Sequence, residues 1–439
     1  MKKYLTPLLL GFVLLLAAPF VDAQETTTPG FYKDLFMSGG LNLRSRTTLP
    51  AAESLGLSYE YYAGKDAEIQ KNLYSGSEHD TNGVLLYPDG APRFRMLYVN
   101  GGGATLHGKS LELSGRQVLR QFYRAGGSYC GSCAGSFLSG RNVDAREDRR
   151  LGYLHIFPYN TSNTGLKKER VGHVIPDDSP LTKYRDFGGD QYVADIYHNN
   201  GNWLSLKEGP HLADTEILAT YDTPGKRPHG GAAIWAYKTK PGEGRIVNIG
   251  SHPEGITEGE RLELTEACFL YALDGVGTAA IKGTLHAGET RVMDRQTTDE
   301  DSAHTRIGDR QYHHFRFEVP AKGARVTVTL TGEAGIDYSL FLRKEGPAFQ
   351  HLADFGVTSA GHRTTLRMPL SAGSWYVSVQ CLTSIQAEKD ESGSYYIYSG
   401  DNRVLNGVAY TLQMDQKSRR PRREATGVLS NPKVTTSPQ

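Results

Sequence analysis

The residues able to do chemistry gather first around one thiol. Cys133 lies within the glycine-rich stretch from Gly126 to Gly140, and its nearest neighbours, Gly131-Ser132-Cys133-Ala134-Gly135, are small on both sides. A strand turning sharply into a helix there would hold the sulfur at a strained, exposed position, a nucleophile elbow with sulfur in place of oxygen. Glycines flank such a turn because a β-carbon would strike the adjoining strand and helix, and the next backbone N–H faces the substrate. Far downstream, Arg245-Ile246-Val247-Asn248-Ile249-Gly250 reads as a buried parallel strand running into Ser251-His252-Pro253-Glu254. In that segment His252 would take the thiol proton, Glu254 would fix the imidazole tautomer, and Pro253 would stiffen the presentation. Upstream of both, Met96-Leu97-Tyr98-Val99 ends in Asn100-Gly101-Gly102-Gly103. The bare amides of that loop, with the Ala134 N–H, can face a developing oxyanion.

In this order, the Gly-Gly loop, the Gly-x-Cys-Ala-Gly elbow and the His-Pro-Glu segment resemble the class I glutamine amidotransferase-like superfamily. The resemblance is closer to the domain named after the N-terminal part of biotin-protein ligase, and it covers about Asp34 to Gly275. It implies an α/β fold, a flavodoxin-like, mostly parallel sheet flanked by helices, with a Cys133, His252, Glu254 triad. Members tend to carry a Tyr-Asn-Gly-Gly type segment near the nucleophile, where this chain has His198-Asn199-Asn200-Gly201. His198 and Asn199 are therefore candidates for substrate contact, and His198 reads equally well as a hydrogen-bonded structural histidine.

The reaction these roles describe is hydrolysis of an amide, peptide or related acyl bond on a small-molecule or peptide substrate. Biotin transfer is not implied, since the resemblance is to an accessory domain, and no synthase domain accompanies the site. Two other readings stay open. One is a ligand- or surface-binding protein that retains the fold without catalysis. The other treats Cys130-Gly-Ser-Cys133 as a thiol-disulfide pair, although such a site would not call for His-Pro-Glu on a later strand. Zinc is disfavoured because no second Cys or His pair stands at ligand spacing. Neither His-Glu-x-x-His nor a phosphate-binding glycine motif with its lysine is present, so no cofactor is expected.

The elements that must position these groups can be read on either side of them. Asp34 to Tyr62 reads as a first β-α-β unit, with a helix over Thr48 to Leu55 and a strand from Leu57. Ala63 to Arg93 is polar and turn-rich, the pattern of a surface insertion. Ser114-Gly-Arg-Gln117 has the spacing of a capping box ahead of Val118, Leu119 and Phe122, with Gly126-Gly127 as the stop. Arg141 to Asp190 reads as a charged excursion near the site. Gln191 to Tyr197, Glu216 to Tyr221 and Ala232 to Tyr237 are strands, the last two an antiparallel extension. Thr257-x-x-Glu260 caps a closing helix whose Leu264, Cys268 and Tyr271 share a buried face.

After Gly277 the period of apolar residues becomes two. Phe315, Phe317 and Val319 alternate with Arg316 and Glu318, and Val377, Val379 and Cys381 line one face of another run. Residues 278–415 thus read as a β-sandwich. This part resembles the bacterial pre-peptidase C-terminal domain, whose acidic pattern stands here as Asp337-Tyr338-Ser339-Leu340-Phe341-Leu342. That resemblance implies a spacer or a contact to a cell surface or polymer. His313-His314 is expected to face solvent in part.

Residues 1–23, with Lys2 and Lys3, an apolar run from Leu8 to Ala18 and small residues before position 24, read as a signal peptide. The expected organisation is thus 1–23, an α/β domain over 24–277, the sandwich, and a basic tail over 416–439. The protein is expected to be exported, periplasmic or extracellular, without a membrane span once the signal is cleaved. Basic and acidic residues nearly balance, 49 against 48, yet the tail sets Lys417, Arg419, Arg420, Arg422, Arg423 and Lys433 against Glu424 alone. Its lack of apolar periodicity predicts disorder. No aromatic residue interleaves those cations, so a solvated or surface-attaching tail is favoured over nucleic-acid binding.

Overall fold

The computed structural model describes residues 30–38, 49–62, 83–144, 150–206, 212–296, 301–359 and 361–418. The expected signal peptide and nearly all of the basic tail lie outside these.

Strand β1 (Lys33–Ser38), helix α1 (Pro50–Ser54) and β2 (Tyr59–Tyr62) form the expected first unit, with β1 and β2 parallel. Then come β3 (Phe94–Val99), α2 (Ala104–Ser110), α3 (Glu112–Arg124), β4 (Ser128–Ser132) and α4 (Ala134–Ser139). Beyond them, β5 (Ser162–Asn163) pairs with β8 (Asn202–Trp203) outside the main sheet. That sheet is completed by β6 (Glu169–Val174), β7 (Tyr192–His198), β9 (Thr215–Asp222), β10 (Ala232–Tyr237) and β11 (Ile246–Ile249), and α5 (Glu260–Leu273) closes the domain.

The nine strands lie in the order β2-β1-β3-β4-β11-β10-β9-β6-β7. From β2 to β11 every pairing is parallel, and from β11 to β7 every pairing is antiparallel. The sheet is therefore mixed, where a mostly parallel one was expected. For β9, β10 and β11 the cause is connection length, because a parallel return needs a dozen or more residues and the links 223–231 and 238–245 allow only antiparallel neighbours.

Alternation along the parallel strands sends residues to two cores. Leu35, Met37, Met96, Tyr98, Cys130, Val247 and Ile249 pack with α1 and α5 on one face. Phe36, Leu97, Val99, Tyr129 and Ile246 pack with α3 and α4 on the other. Cys268 is wholly buried on α5, as its spacing indicates. Both capping-box readings fail. Ser114 lies inside α3, which continues from α2 through Leu111, and the residue before α5 is Gly259 at φ +73° rather than Thr257. In each case the chain geometry, not a side-chain hydroxyl, sets the helix start.

After α5 the chain forms two facing sheets. Their strands are β12 (Ile281–Thr284), β13 (Thr290–Met293), β14 (Tyr312–Val319), β15 (Ala324–Gly332), β16 (Tyr338–Lys344), β17 (Phe355–Ser359), β18 (Arg363–Leu370) and β19 (Gly373–Cys381). A hairpin of β20 (Gln386–Lys389) and β21 (Tyr395–Ser399) precedes β22 (Tyr410–Ser418). One sheet runs β12-β14-β19-β16-β17 and the other β13-β22-β15-β18. Strand β22 pairs with β15 as far as Ser418, past the expected limit at 415. His313 and His314 are buried rather than partly exposed, held by the Tyr410 hydroxyl at 2.9 Å and Ser378 Oγ at 2.6 Å.

The segment 83–93, expected at the surface, is buried where the two parts meet, with Val84, Leu85 and Tyr87 almost fully enclosed. Arg93 is the reason. Its guanidinium donates to Asp309 Oδ1 and Oδ2 at 3.0–3.2 Å and to the Val84 carbonyl at 2.8 Å, and both ion-pair partners are wholly buried. Tyr395 and Tyr396 of the hairpin meet Tyr61 and Tyr62 edge to face. Removing one member of a buried pair strands the other charge, so Arg93→Met should cost about 3–5 kcal/mol in urea unfolding. The double change with Asp309→Leu should cost less than the single one. A double variant as unstable as the single would remove this account.

Among the described residues no helix is long and apolar enough to cross a membrane.

Candidate active site

Strands β3, β4 and β11 are adjacent and parallel, so their carboxyl ends open on one edge of the sheet, the place where open α/β sheets bind ligands. The Gly101–Gly103 loop leaves β3, Cys133 leaves β4 and His252 follows β11.

Cys133 sits between β4 and α4 with φ +44° and ψ −103°, a conformation that L-residues rarely adopt and that the surroundings must impose. Two glycines make this turn possible. A β-carbon on Gly131 would lie 2.5 Å from the Gly135 carbonyl carbon, and one on Gly135 would lie 1.9 Å from the Val99 oxygen. The Cys133 N–H donates to the Ile249 carbonyl at 2.8 Å, tying the elbow to β11. Ala134 opens α4, where a helix leaves its amide N–H groups without an intrahelical acceptor.

His252 is hydrogen-bonded to the Cys133 thiol, and Glu254 stands behind His252. The imidazole Nδ1–H donates to Glu254 Oε1 at 3.0 Å, and the Ser132 hydroxyl donates to the same oxygen at 3.1 Å. Tyr98 and Ser132 hydroxyls lie 3.1 Å apart, extending the chain of hydrogen bonds into the core. The His252 N–H donates to the Tyr197 carbonyl at 2.9 Å, and the two rings lie 5.7 Å apart, so β7 supports the imidazole from outside. Burial alone would drive the His252 pKa down. The Glu254 charge, with hydrogen bonds to Cys133 and Glu254, overcomes it and pushes the value up to about 11. For Glu254, burial acts upward, and the His252 charge together with the His252 and Ser132 hydrogen bonds holds it below the usual carboxylate range.

The glycine loop divides its work. Gly102 and Gly103 line a cavity of about 370 Å³ together with Cys133, Ala134 and Asn199. Gly101 instead lies against the imidazole, and a β-carbon there would come 2.2 Å from His252 Cε1. Gly101→Ala should therefore displace the ring. The His252 imidazole proton resonances should shift, and the thermal midpoint should fall, since forcing a methyl group into a filled site costs about 1–3 kcal/mol. Unshifted His252 resonances would show that the ring is not held there.

His198 does not reach this cavity. Its ring is wholly buried, with Nε2 bound to Thr164 Oγ1 at 2.7 Å and to the Gly201 N–H at 3.2 Å, and Nδ1 bound to Ser251 Oγ at 3.2 Å. His173 Nε2 meets the same Ser251 hydroxyl at 2.9 Å. Burial, with the His252 charge nearby, lowers the His198 pKa to about 4. It is a neutral structural residue fixing the 198–201 loop to the end of β11, and the expectation of substrate contact through its side chain is corrected. Asn199 does face the cavity, and its carbonyl is 3.9 Å from Cys133 Sγ.

Cys130 is one strand alternation away from the site, wholly buried in the core that holds Cys268. All four cysteines are free, and burial pushes the Cys130 thiol well above its ordinary range. Among the described residues no cluster of His, Cys, Asp and Glu is arranged to hold a metal ion.

Sequence reading missed Ser132, Arg150 and Tyr153. For Ser132 a signal existed, because period-two alternation along β4 puts it on the face of Cys130 and Tyr98, toward Glu254. Arg150 and Tyr153 come from the excursion after α4, which carries no periodic pattern to place them.

No family model matches the chain, and no curated protein matches it. Among solved structures, the chain is similar to a glutamine amidotransferase at 17% identity, covering 54% of this chain and 98% of that one with a TM-score of 0.33. It is similar to a ThuA-like protein from Bacteroides uniformis at 12% identity, covering 55% and 91% with a TM-score of 0.33. A pre-peptidase C-terminal domain of a collagenase from Bacillus anthracis is similar at 14% identity, covering 32% of this chain and all of that one with a TM-score of 0.20.

Proposed function

We propose that the protein is a cysteine-dependent hydrolase of an amide, peptide or related acyl bond, built on a class I glutamine amidotransferase-like α/β domain. The observation that carries this reading is one juxtaposition. A thiol at φ +44° on a strand-to-helix elbow is hydrogen-bonded to an imidazole that is itself bound to a carboxylate at 3.0 Å, at the carboxyl ends of two neighbouring parallel strands. The order of the parallel half, with the second strand outermost and then the first, third, fourth and last, is that of flavodoxin-like sheets and supports the fold part of the proposal.

In the reaction, the proton shared by the Cys133 sulfur and His252 rests on the imidazole, and the sulfur attacks the substrate carbonyl. Oxygen charge develops toward the Ala134 N–H and the Gly102 and Gly103 amides, a contribution of about 3 kcal/mol per donor. The C–N bond then breaks, and the proton on His252 goes to the leaving amine. Water attacks the thioester, its proton returns through His252, and the C–S bond breaks to release the acid and the free thiol. Glu254 keeps the imidazole oriented throughout, and Ser132 keeps Glu254 in place. The sequence of residues 1–23 supports export, which we include in the proposal, with the sandwich as a spacer or surface-contacting unit.

The test is a panel of amides and peptides offered to the reduced full chain, quenched in acid and digested for peptide mass spectrometry. Turnover accompanied by an acyl adduct on Cys133 is expected. Turnover with the acyl group on another residue would overturn the assignment.

A further inference from the structure

A second cavity, of about 310 Å³, opens where the α/β part meets the sandwich. Phe31 and Val276 line it from the first part and Tyr312 and Phe349 from the second, so most of its surface is apolar. The Tyr312 and Phe349 rings lie 5.1 Å apart, and a β-carbon on Gly30 would stand 3.6 Å from Phe349, so the chain entering β1 closes that wall. Asp89 and Lys282 also line the cavity, but they are bound to each other at 2.7 Å. The other two N–H groups of that ammonium go to the Ser302 carbonyl and the Thr305 hydroxyl, both at 2.9 Å, which completes its three donors. His314 is placed differently. Its ring lines the cavity at 2% exposure, and burial lowers its pKa to about 4, so it is neutral. The Ala348 N–H donates to Ser378 Oγ at 3.1 Å, which leaves the Ser378 hydroxyl proton for His314 Nδ1 at 2.6 Å. Nδ1 is thus the acceptor and the ring proton sits on Nε2, which has no hydrogen-bond partner among the described residues.

We infer that this cavity binds a compact, uncharged aromatic compound bearing a carbonyl, its ring against Tyr312 and Phe349 and its oxygen accepting the His314 Nε2–H; this goes beyond the hydrolase reading and does not rest on it. The volume stands at the low end of ligand sites, and the meeting of two domains is a preferred place for them. Aromatic walls favour a ring that can stack or stand edge to face on them. A charged ligand would lose its hydration against a wall where Asp89 and Lys282 neutralise each other. A ligand without an oxygen would seal the imidazole N–H from water unpaired, a penalty that a carbonyl removes. Residues 276–280 and Tyr312 of β14 both line the cavity, so the occupant bridges the two parts of the chain.

Acetophenone and ethylbenzene, alike in size and differing by the oxygen, test this in a ligand-observed NMR titration of the full chain. Acetophenone should bind about tenfold tighter than ethylbenzene, the ratio expected of one hydrogen bond. Ala280→Trp, at an exposed position on the cavity wall, should fill the space and abolish binding of both compounds. His314→Phe keeps a ring and removes the donor, so the two affinities should become equal. Absence of acetophenone binding to the parent overturns the inference, as do equal affinities in the parent, binding that survives Ala280→Trp, or a preference that persists in His314→Phe. Should His314→Phe fail to fold, the parent and Ala280→Trp still decide. The hydrolase reading stands or falls separately, on the acyl adduct at Cys133.

Discussion

Cys133→Ala should lower kcat by on the order of 10⁶-fold, the scale seen when a covalent nucleophile is removed from a working triad. The size of the effect follows from what the sulfur does. Without it no thioester forms, and the remaining oxyanion donors and His252 can only assist direct attack by water, which leaves a residual rate over the uncatalysed one. Stability should change little, because alanine retains the β-carbon and the φ of +44° is imposed by the packing of Gly131 and Gly135 rather than by the thiol. The hydrogen bonds lost from the sulfur are a long one, 3.9 Å to the Asn199 carbonyl, and the one to His252. Circular dichroism and the thermal midpoint should therefore match the parent, while the steady-state rate collapses. Turnover that survives the substitution would remove Cys133 from the reaction.

The gathering of these groups on one sheet edge was legible because each follows a short apolar run that ends in small residues. Val99 leads to Gly101, Ser132 to Cys133 and Ile249 to His252, and three neighbouring parallel strands necessarily deliver such loops to the same side. What could not be read depends on partners far along the chain. Arg93 looks like the end of a polar insertion, yet it is buried because Asp309, 216 positions later, neutralises it. His313 and His314 look amphipathic, yet the Tyr410 and Ser378 hydroxyls satisfy them inside the sandwich. Strand β6 escaped notice for a related reason. Its ends carry Glu169, exposed Arg170 and exposed Val174, and its buried centre includes His173, whose acceptor Ser251 lies on another strand's end. Burial of a polar residue is a tertiary fact, and local periodicity cannot express it.

The elbow and the base also differ in how firmly they are fixed, which decides where pH enters. The Cys133 N–H and the Gly135 contact anchor the thiol through the backbone, independent of charge. His252 is anchored at its N–H by Tyr197, but the ring itself is held by Gly101 and by a charged hydrogen bond. Its orientation and its protonation thus depend on the same carboxylate.

Glu254→Gln isolates that dependence, since the amide oxygen can still accept from Nδ1 and from Ser132 while the charge is gone. Losing a correctly charged orienting residue in a triad costs on the order of 10⁴-fold in kcat. Without the carboxylate, burial is left as the largest influence on His252, so its pKa should fall from about 11 toward or below the ordinary 6.5. The signs for stability follow by linkage. The raised His252 pKa gives stability that is complete below about 6.5 and is lost as pH climbs toward about 11, while the lowered Glu254 pKa gives stability present above about 4.5 and lost as pH falls. The gap in thermal midpoint between the parent and Glu254→Gln should therefore be widest between about pH 4.5 and 6.5 and narrow on both sides. Imidazole proton resonances followed across pH would report the His252 titration directly. A variant that keeps the parental kcat, or a midpoint gap that is flat from acid to alkaline pH, would show that Glu254 neither orients nor charges the base.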